Sequence, residues 1–224
     1  MKAVIYHATV NFKQFQPDSQ DYPDDIYETL FQGARENLNK FGIPLIHLTV
    51  NGHPGWGDEN YYFDGDAQNV VYNRERFFAD FLRDRDRGEV YWLTEPDARL
   101  MRDFPELPQD CDLSILRRQD AIALSPWWRL ARSTAVPFFD EAVKYFDSDK
   151  LTWHGDSWAY RRMWENMGSP DIGMEHAYVD YNGMKIELRH YNNYSSPKSS
   201  FVRQWKSLHK IKLLKQEKNS DQTK

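Results

Sequence analysis

The chain holds one cysteine, Cys111, among 224 residues. No disulfide can close within it, and nothing in it demands an oxidising compartment. Also missing is any apolar run near the roughly 18 residues that cross a bilayer, and the amino terminus lacks a charged stretch followed by a long apolar one. A cytoplasmic location is the expectation. Positive charge is not in excess: 29 Lys and Arg stand against 34 Asp and Glu, a formal net charge of -5. That balance argues against a domain-wide electrostatic hold on nucleic acid and leaves room for a local basic patch. No glycine-rich phosphate loop follows the first apolar run between Val10 and Asp25. Internal repeats and clear linkers are lacking as well, so one domain over residues 1–210 with a polar, disordered tail over 211–224 is expected.

Against these absences stands an ordinary globular composition, 40% hydrophobic and 28% charged, with 8 Trp and 13 Tyr among its aromatics. An aromatic-rich core and a surface that stacks on sugars or bases both account for so many rings.

Lys2 to Val10 opens with Ala3-Val4-Ile5-Tyr6 and reads as a buried strand. Asp24 and Asp25 can cap a helix carrying Ile26, Tyr27, Leu30, Phe31, Ala34 and Leu38, with Gly42 as its stop. A strand over Pro44 to Val50 follows, then a turn-rich loop from Asn51 to Asp58 that leads into a second helix from about Asn73 to Asp86, and a third strand over Glu89 to Leu93. This alternation calls for right-handed crossovers and a parallel sheet covered on both faces, with ligands bound beyond the strand carboxyl ends.

The second half is less regular. Leu113 to Leu116 and Ala121 to Leu124 read as short strands, Thr134 caps a helix that tolerates Pro137 near its start, and another helix spans Ser157 to Asn166. Tyr181-Asn182-Gly183 is a hairpin turn, and a last helix begins at Ser199 with Phe201, Val202, Trp205 and Leu208.

The stretch Val90-Tyr91-Trp92-Leu93-Thr94-Glu95-Pro96-Asp97 runs from an apolar strand into two carboxylates. If the extended backbone persists past Leu93, Glu95 and Asp97 project to the same side. Hard cations such as Mg²⁺ or Mn²⁺ take a few carboxylate oxygens and complete their shell with water and substrate phosphates, so such a pair suits a bridged diphosphate. Merely solvated turn residues are the plain alternative.

The order of elements, an apolar strand entering an acid-x-acid turn and a late His together resemble the GT-A fold of nucleotide-sugar glycosyltransferases, with Glu95-Pro96-Asp97 similar to that family's D-x-D motif. The resemblance covers most of residues 1 to 200. It implies an α/β three-layer sandwich with a Rossmann-like, parallel-to-mixed central sheet between helices. It also implies a hexosyl- or pentosyltransferase that uses Mn²⁺ or Mg²⁺ and a nucleoside diphosphate sugar, UDP-linked by expectation.

Carried over by position, the resemblance assigns Tyr6, Ala8 and Thr9 to the nucleoside, Arg74, with Arg76 nearby, to the donor, and Asp97, Glu95 and His190 to the metal. The longer Glu in place of Asp makes Asp97 the stronger ligand candidate. Lys198 is assigned to the diphosphate, where it would offset charge on the leaving group, and Asp156 faces the acceptor or donor sugar. Trp127, Trp128, Trp153 and Trp158 are candidates to line the sugar or acceptor site. A core Tyr6, a surface Arg74, a structurally satisfied His190 and a helix-capping Asp156 are the competing structural explanations.

Between Arg203 and Lys218 the chain gathers Arg203, Lys206, Lys210, Lys212, Lys215 and Lys218. A solvated helix end explains them, and so does attraction to a polyanionic acceptor. Small viral glycosyltransferases modify DNA bearing hydroxylated bases, which makes such DNA the acceptor to consider, in the host cytoplasm if the chain is viral. A metal-dependent nucleotidyltransferase and a noncatalytic nucleotide or nucleic-acid binding protein of the same fold are the alternatives.

Overall fold

The computed structural model describes residues 1–8, 26–67, 69–101, 106–117, 124–146, 155–170, 176–190 and 202–204; at 124–127, 155–157, 190 and 202–204 it describes the backbone only. Eight strands form one mixed sheet. In chain order they are β1 (Lys2–Tyr6), β2 (Leu45–Val50), β3 (Glu59–Phe63), β4 (Tyr91–Thr94), β6 (Leu113–Arg117), β7 (Leu124–Ala131), β8 (Ala177–Tyr181) and β9 (Met184–His190). Their spatial order is β3-β2-β1-β4-β7-β6-β9-β8. Strands β1 to β4 are mutually parallel, β7 runs against both β4 and β6, and β9 is parallel to β6, so the carboxyl ends of β1, β2, β3, β4, β6 and β9 share one edge.

The helices are α1 (Ile26–Asn39), α2 (Val70–Arg83), α3 (Val136–Lys144) and α4 (Gly155–Asn166). On one face, Ala3, Ile5, Leu45 and Trp92 pack with Phe31, Ala34 and Leu38 of α1. On the other, Val4, Leu48 and Leu93 pack with Phe77, Phe78 and Phe81 of α2, Phe138 and Phe139 of α3, and Met163 of α4. The sandwich is therefore three-layered and α/β, as expected. Alternation along β1 decides which side chain goes to which face. Helix α1 has the anticipated apolar stripe and ends where expected, with Gly42 at φ 64 and its N–H on Asn39 O at 3.1 Å.

Several expectations need correction. Strand β3 went unread because it is an edge strand of alternating partial exposure with no apolar run. It is held by parallel pairing to β2 and by the Lys2–Glu59 ion pair at 2.7 Å. Helix α2 starts and ends about three residues earlier than its apolar spacing suggests, with Asn73 N–H already on Asn69 O at 2.8 Å. Strand β7 begins at Leu124 and runs through Trp127 and Trp128, later than the reading over Ala121 to Leu124; residues 118–123 lie outside the described residues.

The helix expected from Ser199 is also corrected. Val202–Gln204 is instead a strand, β10, paired antiparallel with β5 (Ala98–Leu100). A free backbone edge beside residues 98–100 outweighs three residues of helical spacing, since nonlocal pairing overrides weak local propensity. Residues 205–224, including the polar tail, lie outside the described residues. The Asn182-Gly183 hairpin is as read, both residues left-handed at φ 51 and 76. Among the described residues no helix is long and apolar enough to cross a membrane.

Candidate active site at the carboxyl ends of β1 and β4

The chain winds outward from β1 through β2 to β3, then returns to the other side of β1 to lay down β4. The winding reverses there. In open sheets of this kind such a point, beyond the strand carboxyl ends, is the usual ligand position. His7-Ala8 and Glu95-Pro96-Asp97 are the residues that leave these two strands.

Beyond Thr94 the backbone does not stay extended. Ala98 N–H bonds Glu95 O at 3.1 Å, closing a turn with Pro96 as its second residue. The alternation expected to put Glu95 and Asp97 on one side is thus replaced by turn geometry, because proline pre-sets the backbone angle a turn needs at that position. Arg99 braces the turn: its guanidinium donates to Pro96 O (2.8 Å), Ala98 O (3.0 Å) and Leu30 O of α1 (3.2 Å). Asp97 is buried within this turn and Glu95 is half-buried.

Glu95 joins a chain of ion pairs running into the molecule. Arg74 on α2 donates Nη1 to Glu95 at 2.6 Å and Nε to its neighbour Glu75 at 2.7 Å. The other oxygen of Glu75 accepts from Arg129 Nη1 on β7 and from the Tyr160 hydroxyl on α4, both at 2.6 Å. Glu75, Arg129 and Tyr160 are completely buried. Burial alone would raise the Glu75 pKa, but the two guanidiniums and the Tyr160 hydroxyl outweigh it and hold the carboxyl below its ordinary range. Burial pushes the Tyr160 hydroxyl well above its usual value. Among the described residues Arg129 Nε and Nη2 make no hydrogen bond; the guanidinium lies against the rings of Phe78 (4.9 Å) and Phe139 (5.6 Å).

The remaining expected residues fall as follows. Tyr6 is buried, with its ring edge-on to Phe77 and its hydroxyl accepting from Asn73 at 3.5 Å; burial pushes its pKa up to about 12. Its ring belongs to the core rather than to an open stacking surface. Ala8 is buried at the end of β1, and Thr9 and Lys198 lie outside the described residues. His190 ends β9 opposite Arg117, at the same sheet edge as Glu95, and Asp156 is in the first turn of α4; neither side chain is described. Arg76 is half-exposed and donates to Asp64 O. Trp128 is buried beneath Arg189, whereas Trp158 on α4 is exposed; Trp153 and the Trp127 side chain lie outside the described residues.

A second feature near this edge was not anticipated. His7, His47 and His53 gather with Tyr27 and Trp56 at the ends of β1 and β2, the His7 ring stacked on Tyr27 (5.2 Å) and on Trp56 (5.4 Å). His47 Nε2 bonds His7 O at 2.9 Å, and its Nδ1 accepts the Trp56 N–H at 3.1 Å. These bonds suit the neutral ring with its proton on Nε2, and burial lowers the His47 pKa to about 4. The signal available in advance was the Trp56 loop itself, dense in Gly and Pro. Among the described residues no group of three or more His, Cys, Asp or Glu is arranged to hold a metal ion. A cavity of about 630 Å³ opens at the opposite, amino edge, lined by Lys2, Pro44, Val90, Leu107 and Arg132, and contains none of the expected site residues.

Neither a family model nor a curated protein matches this chain. Solved structures do. A glycosyltransferase involved in the glycosylation of the major capsid of PBCV-1 is similar over 95% of this chain and 98% of its own, with a TM-score of 0.54 at 7% identity. The glycosyltransferase GlyE of Streptococcus pneumoniae TIGR4 is similar over 74% of this chain, with a TM-score of 0.50 at 12% identity. This chain spans 43% of the GlyE chain. This chain shares the fold of these two glycosyltransferases. At these identities the likeness is one of architecture, and the chemistry has to be argued from the side chains.

Proposed function

We propose that this protein is a glycosyltransferase that moves a sugar from a nucleoside diphosphate sugar, UDP-linked, to a hydroxyl acceptor. One observation carries the reading: the turn at Glu95-Pro96-Asp97 sits at the winding reversal of the sheet with Arg74 locked onto it. The likeness in fold to two glycosyltransferases supports it.

The described residues supply two carboxylates rather than a closed metal centre. That donor set suits an ion bound mainly through substrate phosphates, because Mg²⁺-type sites often use one or two carboxylates and leave the remaining positions to water and phosphate. In the proposed reading Asp97 and Glu95, with His190 from the end of β9, hold Mn²⁺ or Mg²⁺. When bound, the ion supplies charge stabilisation for the departing diphosphate. Arg74 supplies a fixed cation at the same strand end, and a planar guanidinium can serve a phosphate oxygen or a sugar hydroxyl. Ala8, with Tyr6 behind it and Thr9 beyond it, forms the nucleoside side; Lys198 is the proposed second cation for the diphosphate. Asp156, in the first turn of α4, is the proposed carboxylate facing the acceptor, there to take or orient its proton.

The test is a screen of nucleoside diphosphate sugars with Mn²⁺ or Mg²⁺, read by thermal stabilisation, since a ligand that binds only the folded chain raises its melting temperature. Stabilisation by UDP-sugars that requires the ion is the expected result; no response to any sugar nucleotide sinks the reading. Transfer of labelled sugar to DNA with and without hydroxylated bases, against carbohydrate and peptide acceptors, then identifies the acceptor class.

A further inference from the structure

We infer that Glu75 and Tyr160 are positioning residues for the strand-end site, aiming Arg74 at Glu95 from behind; this rests on the nucleotide-sugar reading above. Glu75 is completely buried; its oxygens are divided between Arg74 Nε on one side and Arg129 Nη1 with the Tyr160 hydroxyl on the other. Arg74 therefore uses two donors of one rigid planar guanidinium for two different carboxylates, so fixing its Nε on Glu75 fixes the direction in which Nη1 reaches Glu95.

The anchor behind Glu75 is packed as well. Arg129 lies against the neighbouring rings of Phe78 and Phe139, and the Tyr160 ring stacks on Phe138 at 5.8 Å. Arg74 and Arg129 balance Glu75 and Glu95 in charge. If Glu95 turns toward a cation, the Arg74 Nη1 donor it had accepted from can turn to a diphosphate oxygen while Nε stays on Glu75. Helix α4 contributes Tyr160 to this chain and carries Asp156 one turn earlier, so its seating on the sheet is coupled to the donor side of the site.

Tyr160→Phe tests the inference because it removes one hydroxyl, keeps the ring against Phe138 and leaves all four charges in place. Two readouts are taken: binding of UDP in saturating Mn²⁺ by calorimetry, and exchange of the Arg74 Nε proton by NMR. Loss of the hydroxyl bond should speed that exchange by about five- to tenfold. It should also weaken UDP binding by about 10- to 100-fold, the usual range for groups that orient a ligand-binding residue. A double cycle with Glu95→Gln should show strongly non-additive losses, because both changes act through Arg74. A lowered melting temperature with wild-type UDP affinity, unchanged Arg74 exchange, or additive losses each overturns the positioning role while leaving the transferase reading intact. Failure of the wild-type protein to bind UDP with Mn²⁺ overturns the UDP reading itself, and the inference with it.

Discussion

At Glu75 two guanidiniums and a hydroxyl converge on one carboxylate with no exposure to water. Removing it leaves Arg74 and Arg129 buried without their shared counter-charge, so Glu75→Ala should cost about 3–5 kcal/mol in urea unfolding. The folded pKa of Glu75 is depressed. Its stabilisation is therefore fully present above the unfolded carboxyl range and lost as pH falls through the folded value. His47 is also depressed, to about 4 from an ordinary 6.5, by burial. A depressed histidine binds its proton more readily in the unfolded chain, so stability should fall as pH drops from 6.5 toward 4, by on the order of 3 kcal/mol in all. His47→Gln retains a donor for His7 O and an acceptor for the Trp56 N–H while removing the titration. Urea unfolding of that variant should lose most of the slope in this window; an unaltered slope would assign it to other groups. The partnerships of Glu75 with Arg129 and Tyr160 are not visible in the local sequence, because these residues stand 54 and 85 positions away and meet it only through the fold.

Among the elements, those that satisfy their backbone locally were the readable ones. Helices α1 and α3 match their apolar spacing and the β8–β9 hairpin its turn residues; Thr134, expected to cap α3, does not, because its hydroxyl donates to Asp112 and Ala135 holds the cap position. Gly183 meets nothing within 4 Å of an added Cβ yet sits at φ 76. Gly183→Ala should therefore cost only the conformational penalty, about 1–2 kcal/mol, seen as a lowered unfolding midpoint without change in the m-value. Gly57 is the opposite case: a Cβ there would meet Leu45 O and His47 N at 2.8 Å. Gly57→Ala should push the Trp56 loop off β2 and break the Trp56 N–H bond to His47, a change measurable as faster amide exchange at Trp56. Elements that depend on distant partners escaped the reading. Strand β3 exists through β2, β10 through β5, and the Glu95 turn through Pro96 and the brace from Arg99 to α1. The motif that drew attention to the strand end was legible; its shape was not.

Over the whole molecule, the strand–helix alternation of residues 1 to 94 foretold a three-layer α/β sheet, and the register shows why the ends of β4 and β9 share one edge. Six of the eight strands point their carboxyl ends the same way, which brings Glu95 after β4 and His190 at the end of β9 to the same side despite 95 residues of separation. Composition had no means of showing that the antiparallel β7 would be inserted between β4 and β6, carrying Arg129 into the core. The central claim is that this edge binds a nucleotide sugar at Asp97 and Glu95 and cleaves it with the help of a divalent cation. The direct measurement is release of UDP from a UDP-sugar with and without Mn²⁺, for the wild type and for Asp97→Asn, a near-isosteric change suited to a buried position. The account predicts Mn²⁺-dependent release by the wild type, lowered by about a hundredfold or more in Asp97→Asn while the unfolding midpoint stays within reach of the wild type. Equal release by both proteins, or release indifferent to the metal, would contradict it.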